Sequence, residues 1–540
     1  MASFRRDESI RRLASTHYDV LVIGAGMTGT GVAVDAASRG LRVALVDGGD
    51  IASGTSSKSS KMVHGGLRYL EQREFRLVYE NLRERQRLLE NAPFLVRPLP
   101  FLIPLFAKDG VVTRATARGY ATALRLYDLT GGWRIGQRYQ KVTRAQALAR
   151  MPTLDAERLA AGFIYHDARG DDARVALTLA RTAAIDFGAD VATYLRVVEI
   201  GRTSDGLRVG CDDQHAHRHV KIVASTVINA TGVWADDIFS LAEHEPSHRI
   251  RPAKGVHISV PSDRLPTSVA AVLRVPGDRR SIFVVPFDDA PYTYIGTTDT
   301  AYEGSLEQPT CDASDVEYLL DAINASITTT LTRDDVTGVW AGLRPLLSPA
   351  PGEQMSDRTA DLSRRHQVTD THDGVVHVTG GKWTTYRQMA QDAVDALRPY
   401  LAELGRSRTS SLRLHGVSDW RPASALETHL YRRFGAETKE VLALVRDDPS
   451  LGAPVVGGLS YVGAEFVFAA RHEMATTLID LVTRRTRAHL HDARRTLEAA
   501  PAIAALVADD LGWDRSRVER EVSQYATLVH DEFEAAGLTL

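Results

Sequence analysis

The 540-residue chain has only two cysteines, Cys211 and Cys311, no long apolar run, and almost no net charge. Two cysteines a hundred residues apart make neither a spaced metal motif nor a disulfide framework, and a reduced, cytosolic setting is the simpler expectation. Without a stretch of roughly 18 apolar residues, no bilayer-spanning helix is expected, which leaves attachment to a membrane surface open. A formal charge of −3 does not suggest a nucleic-acid binder, and neither half of the chain carries a nucleic-acid motif. The 18 histidines show no H-E-x-x-H or paired spacing, so no metal site is expected. Residues 1–17 are polar and arginine-rich and lack the apolar segment of a secretory signal. There is no internal repeat and no long low-complexity tract.

What is present is the composition of a globular protein, 44% hydrophobic and 25% charged, in a chain too long for one ordinary core. Two or three domains are expected. Residues 18–23 (YDVLVI) form an apolar, β-branched run bounded by glycine, which reads as a buried parallel strand. Residues 27–39 read as a helix closed by Gly40, and residues 41–46 as a second strand, completing a βαβ unit. The spacing predicts further helices over 74–91 and 172–187, the second capped by Asp171 or Asp172. Strands are expected over 220–229 and 374–379, and two more within 281–297 around a turn at 288–291. Beyond about Arg406 strand signals fade. Val462, Phe466, Ala470, Met474, Leu478 and Val482 recur every four residues, which predicts one core-facing helical stripe after a linker near residues 404–411.

Gly24-Ala25-Gly26-Met27-Thr28-Gly29 is a G-x-G-x-x-G that follows a strand, opens a helix, and is followed by Asp47 at the end of the next strand. That context makes it a dinucleotide fingerprint. Gly24 permits the tight turn, Gly26 lets the backbone approach a pyrophosphate, and Gly29 lets helix and strand pack closely. The helix N-terminus offers unpaired N–H groups and partial positive charge to the anion, and Asp47 is placed to accept from a ribose. The motif alone does not choose between NAD and FAD. Val227-Ile228-Asn229-Ala230-Thr231-Gly232 resembles the strand that returns beneath the dinucleotide in flavoproteins of the glutathione-reductase fold, and the chain has no second G-x-G-x-x-G for NAD(P)H. Both features favour FAD, with electrons taken from a small substrate.

More specific stretches are Gly54-Thr55-Ser56-Ser57, Lys61-Met62-Val63-His64-Gly65-Gly66-Leu67-Arg68-Tyr69-Leu70-Glu71, Ile295-Gly296-Thr297-Thr298-Asp299, Gly342-Leu343-Arg344-Pro345-Leu346, Ser363-Arg364, and Gly380-Gly381-Lys382-Trp383-Thr384-Thr385. They resemble the FAD-dependent glycerol-3-phosphate dehydrogenases, as do Glu473-Met474-Ala475 and Arg484-Arg485-Thr486-Arg487 near the C-terminus. The resemblance covers nearly the whole chain. It implies an α/β fold with a discontinuous FAD-binding Rossmann-like domain of the glutathione-reductase type (17–95, 155–245 and 345–400). It also implies a mixed α+β substrate cap (96–154 and 246–344) and an all-helical C-terminal domain (401–540).

By that resemblance Arg344 and Arg364 hold the substrate phosphate, with Arg365 as the rival of Arg364, and Lys382 lies near the substrate. Two arginines suit a small phosphate dianion because the planar guanidinium meets phosphate oxygens in pairs. His64, Arg68 and Tyr69 are expected beside the flavin, with Gly65 and Gly66 allowing its ring to come close. Ser56 and Ser57 are expected near its pyrophosphate, and Val197 near its adenine, although a plain core valine fits Val197 nearly as well. Thr55, Thr28, Ala230, Thr231, Gly232, Gly380, Gly381 and Thr384 complete the expected cofactor shell, and Thr298 and Asp299 reach the substrate from the cap.

The implied reaction is oxidation of glycerol 3-phosphate to dihydroxyacetone phosphate. His64 is the first candidate for the base, since arginine is a poor base at neutral pH. A membrane quinone is the implied electron acceptor, with an oxygen-using oxidase as the alternative. A homodimer peripheral to the cytoplasmic face of the membrane is expected. The candidate membrane contact is residues 98–127, where the apolar run Leu99 to Phe106 precedes Arg114, Arg118 and Arg125.

Overall fold

The computed structural model describes residues 4–67, 74–106, 114–244, 250–278, 280–348 and 365–540. The N-terminal apolar run becomes strand His17–Ile23, with Val20, Leu21 and Val22 fully buried. It occupies the middle of a parallel array, Val22 lying opposite Ile228 of Arg218–Asn229 on one side and Leu45 of Val43–Val46 on the other. Val375–Gly380 and Asp190–Ala192 extend the array outward, and His366–Asp370 closes one edge antiparallel. Parallel neighbours need crossovers, and Met27–Ser38 supplies the first. It packs on Tyr386–Asp395, where Gly31 makes room for the Tyr386 ring.

A second, ten-stranded sheet carries the cap. Ile250–Pro261 pairs over 250–259 with Gly338–Leu347 and over 257–261 with Tyr292–Gly296. Tyr292–Gly296 forms the expected hairpin with Ser281–Pro286. Residues 159–170, expected with the flavin-binding unit, pair with Val96–Phe106 in this sheet.

Three further expectations are corrected. The proposed membrane run is interior: Val96–Phe106 is a cap strand, Phe101 is 1% and Leu105 3% exposed, and Phe101 stacks on Tyr165 at 5.2 Å. Burial against neighbouring strands removes that segment from any lipid surface. The 462–482 stripe is not one helix. Gly463–His472 ends there, Met474 takes a left-handed φ of 57°, and a new turn starts at Leu478. Phe466, Leu478 and Val482 join the cap core, whereas Met474 packs with the core of the first sheet. The 172–187 helix is α-helical only over Asp172–Arg181 before a π-turn at Thr182–Asp186, although Asp171 does cap it by accepting from the Arg174 N–H.

Residues 6–13, before the first strand, also form an element. Arg6–Leu13 is a helix that buries Ile10 and Leu13 and pairs Arg6 with Asp213 at 2.6 Å. The C-terminal unit is helical, its longest members being Ala493–Leu511 and Arg515–Ala535. Val507, Tyr525 and Phe533 share one core with Val256 and Ile258 of the cap sheet. Among the described residues no helix is long and apolar enough to cross a membrane.

The segment leading into that unit carries a pH-dependent contact. Burial opposes charge on His415, but Asp186 at 2.9 Å and Glu437 at 3.4 Å outweigh it and push its pKa up to about 9. A raised folded-state pKa contributes stability that is complete below the unfolded value near 6.5 and lost as pH rises through about 9. His415→Asn should therefore unfold at lower denaturant than wild type at pH 6, and the two should converge at pH 10. A constant gap across that range would exclude His415 as the titrating group.

Candidate active site

The fingerprint residues divide between the cavity and the backbone beneath it. Gly24 has φ 103°, and a Cβ there would come within 2.7 Å of the Ala230 carbonyl. Gly29 has no room at all, since a Cβ would lie 1.7 Å from the Gly24 oxygen. Its role is the close packing of helix on strand. Gly26 is the N-cap of Met27–Ser38, and the Met27 N–H donates to Ser56 Oγ at 2.8 Å. Asp47 accepts from the Ala25 N–H at 2.6 Å and the Gly49 N–H at 2.7 Å. Burial still pushes its carboxyl pKa above the usual range.

Above this turn opens a cavity of about 1720 Å³ that reaches from the first sheet to the cap sheet. Gly24, Gly26, Thr28, Asp47, Thr55, Ser56, Val197, Ala230, Thr231 and Gly232 line it from the side of the first sheet. His64, Gly66, Asp299, Arg344, Gly380, Gly381, Lys382 and Thr384 line the same space. The sequence therefore brought most of its candidates to one place.

Four candidates stand behind the wall rather than in it. Gly29 packs as described. Ser57 turns toward the Gly54 carbonyl. Gly65 donates its N–H to Tyr127 at 2.9 Å, and its missing Cβ makes room for Leu82 and Tyr127, so the close approach it permits is to protein and not to a ligand. Thr298 is 2% exposed and accepts the Val256 N–H at 3.1 Å. Arg68, Tyr69 and Arg364 lie outside the described residues. Arg365, the rival of Arg364, is a surface partner of Glu74 at 2.5 Å.

Arg344 lies within strand Gly338–Leu347, opposite Ala253, and not in a loop. Its Nη1 donates to the Lys254 carbonyl and to Asp299 Oδ1, both at 3.2 Å, and its Nη2 to Thr297 Oγ1 at 3.2 Å and the Thr298 carbonyl at 3.1 Å. Gly255 on the adjacent strand leaves the space the guanidinium fills. The cation is thus held flat at the cavity edge before any substrate arrives.

The sequence reading missed His257. It lines the cavity, stacks on Trp340 at 4.9 Å, and shares a 2.7 Å hydrogen bond between Nε2 and Ser60 Oγ. Burial, reinforced by Lys61 and Arg344, holds its pKa far below 6.5, so it is neutral at pH 7. Burial likewise lowers the Lys61 amine to about 8 despite Asp172 beside it. The signal was the alternation Ala253, Gly255, His257, which puts all three on one face of a strand.

These residues fit a flavin dinucleotide. Gly26 opens the helix N-terminus toward the cavity, which suits an anion such as a pyrophosphate, and Gly26 and Arg344 line the same cavity. Fold and cavity together define an FAD-dependent oxidoreductase. A profile of the family described as FAD dependent oxidoreductase matches residues 19–396, and one described as the C-terminal domain of alpha-glycerophosphate oxidase matches residues 376–518. The glycerol-3-phosphate dehydrogenase 2 of Mycobacterium tuberculosis is 41% identical over 540 aligned residues, covering 97% of this chain and 90% of that protein. The mitochondrial glycerol-3-phosphate dehydrogenase of Homo sapiens is 32% identical, covering 96% and 74%. The crystal structure of the glycerol-3-phosphate dehydrogenase from Bacillus halodurans complexed with FAD matches with a TM-score of 0.77 at 27% identity, covering 97% of this chain and 96% of that one. The chain belongs to the FAD-dependent glycerol-3-phosphate dehydrogenase family, and FAD is its cofactor.

Proposed function

We propose that the chain oxidises sn-glycerol 3-phosphate to dihydroxyacetone phosphate in the cavity between the two sheets and passes the electrons to a membrane quinone. The observation that carries the substrate reading is Arg344, a guanidinium fixed by four hydrogen bonds at the edge of the flavin cavity. The phosphate binds there, with Lys382 beside it and Arg364 as the second arginine. Asp299 orients Arg344, and Thr298 supports it through its carbonyl.

Bound FAD supplies the two-electron acceptor for the hydrogen on the central carbon. Thr28, Ser56 and the helix N-terminus hold its pyrophosphate, Asp47 its ribose, Val197 its adenine. Gly66, Gly380, Gly381 and Thr384 wall the space near its ring. His64 takes the secondary hydroxyl proton at a ring nitrogen, while Arg68 and Tyr69 orient the substrate. An anaerobic spectrum tests the whole reading. The wild-type flavin absorbance should bleach on adding glycerol 3-phosphate and persist with glycerol.

Reading the acceptor as a quinone calls for a lipid-facing surface, here on the cytoplasmic face of the membrane. With residues 99–106 buried, what supports this is a different patch. Phe75 and Tyr79 are each 46% exposed, Leu129 78% and Trp133 58%, and Arg134 lies over both the Tyr79 and Trp133 rings. Exposed aromatics flanked by arginine suit an anionic interface. Leu129→Ser with Trp133→Ala should weaken sedimentation with anionic vesicles and leave flavin content unchanged. If wild type ignores such vesicles at low salt, and oxygen alone supports full turnover with peroxide as product, the oxidase alternative replaces this reading. The alpha-glycerophosphate oxidase profile over residues 376–518 is what favours that alternative. The homodimer is tested by light scattering of the detergent-free protein.

A further inference from the structure

Three arginines within four consecutive residues of the helical unit, Arg484, Arg485 and Arg487, reach the loops that form two walls of the flavin cavity. The first contact is with Asp50. Arg485 grips it with two parallel hydrogen bonds, Nη1 to Oδ2 and Nη2 to Oδ1, both at 2.7 Å, and Arg484 Nε adds a third at 2.7 Å. Asp50 is 1% exposed and belongs to the loop after Val43–Val46, in which Asp47, Gly49 and Ser53 line the cavity. That loop is tied to the fingerprint by the Ala52 N–H, which donates to the Ala25 carbonyl at 3.1 Å.

The second contact is with Asp171 and Asp172. Arg487 Nε donates to Asp171 at 3.0 Å, and its Nη2 donates to the fully buried Asp172. Asp172 in turn accepts from the Ser59 N–H at 3.0 Å and Ser59 Oγ at 2.6 Å. Ser59 is itself cavity wall. Arg484 and Arg485 end the π-turn Leu481–Arg485, and Arg487 follows it by two residues. Bidentate arginine–carboxylate pairs in a dry interior fix geometry well. Buried ion pairs are weak evidence for net stability, so three arginines on buried carboxylates at one cofactor cavity ask for another reason.

We propose that the C-terminal helical unit is a clasp for the flavin, in which Arg485 and Arg487 are positioning residues that hold the loops at 47–54 and 58–61 in the shape that binds FAD. The clasp rests on FAD occupying this cavity and is independent of the electron acceptor. By linkage the effect is reciprocal, so FAD also tightens docking of the helical unit.

The test measures FAD affinity, by titrating apoprotein, together with the melting temperature of the apo form. Arg487→Met and the paired change Asp50→Asn with Arg485→Met should each weaken FAD binding at least about fivefold. The paired change avoids stranding a buried carboxylate. Arg487→Lys, which keeps the charge and loses the planar fork, should recover only part. Arg471→Ala, which breaks an exposed pair with Asp510, should change nothing. In wild type FAD should slow proteolysis within residues 402–424, and in the variants it should slow it less.

Ser59→Ala leaves every ion pair in place and cuts one link from Asp172 to the wall, so it serves if the arginine variants do not fold. Unchanged FAD affinity in Arg487→Met, or in Ser59→Ala should the former not fold, overturns the clasp whatever happens to the melting temperature. A wild type that takes up no FAD would instead overturn the cavity assignment, and the clasp with it.

Discussion

Arg344→Ala should lower kcat/KM for glycerol 3-phosphate by roughly 30- to 1000-fold while the variant keeps its full complement of flavin. The range is about 2–4 kcal/mol of transition-state stabilisation, the size of a bidentate charge-assisted contact. The geometry argues for the lower half. The guanidinium already bonds Asp299, Thr297 and two backbone carbonyls at 3.1 to 3.2 Å, so the phosphate exchanges existing contacts and does not fill empty ones. Loss of the cation also leaves the Asp299 carboxylate near the dianion, which adds repulsion. Arg344→Ala with Asp299→Asn should therefore recover part of the loss, a non-additive result expected of contacting residues. Arg344→Lys should recover less than the geometry of reach alone suggests, because a point charge cannot make the fork. Plain glycerol, lacking the phosphate, should be a very poor substrate for wild type. Equal efficiency on glycerol and its phosphate would remove the phosphate site from Arg344.

The parts of this molecule that were legible in the sequence are those where local chemistry and tertiary demand agree. The run YDVLVI, the glycines after it and the 281–297 hairpin each carry one strong period and a hard stop, and each folds as that pattern dictates. The run Leu99 to Phe106 suggests a membrane contact because arginines follow it, and Pro98, Pro100 and Pro104 mask the β pattern of Val96–Phe106. Proline removes ladder donors, and its tolerance there depends on partners that lie sixty residues away in Leu159–Gly170. The 462–482 stripe failed differently. Its apolar spacing is real, but Met474 turns left-handed and hands its side chain to another core.

At the site, motif residues were found and their division of labour was not. Gly65 and Gly66 are adjacent and identical in kind, yet only Gly66 lines the cavity, because Leu82 and Tyr127 claim the space at Gly65. His257 escaped notice because its alternation with Ala253 and Gly255 marks a shared strand face and nothing about what that face meets. Only the pairing of three strands brings it against Ser60. The arginine clasp at 484–487 was visible as a motif, but its targets, Asp50 and Asp172, lie more than three hundred residues away.

Two glycines of one motif should fail in two ways when replaced by valine. Gly29→Val should not yield folded protein. Even its Cβ would lie 1.7 Å from the Gly24 carbonyl oxygen, backbone against backbone, with no side chain to swing aside. Overpacking of a tight core ordinarily costs about 1–3 kcal/mol, and here relief requires moving Met27–Ser38 off the central strand, so the loss should exceed that range. Gly26→Val is milder for the fold. A Cβ at Gly26 would stand 3.1 Å from Ser56 Oγ, a contact that a small rotation of the serine relieves, and the valine methyls then point into open cavity. The space they take is the space a pyrophosphate needs at the helix N-terminus. Gly26→Val should therefore purify as a folded, colourless protein with near wild-type far-UV circular dichroism and no flavin absorbance. Gly29→Val should appear only in the insoluble fraction. A yellow Gly26→Val protein would move the pyrophosphate away from this turn, and a soluble, flavin-bearing Gly29→Val protein would mean that helix and strand are not packed as closely as the Gly24 carbonyl requires.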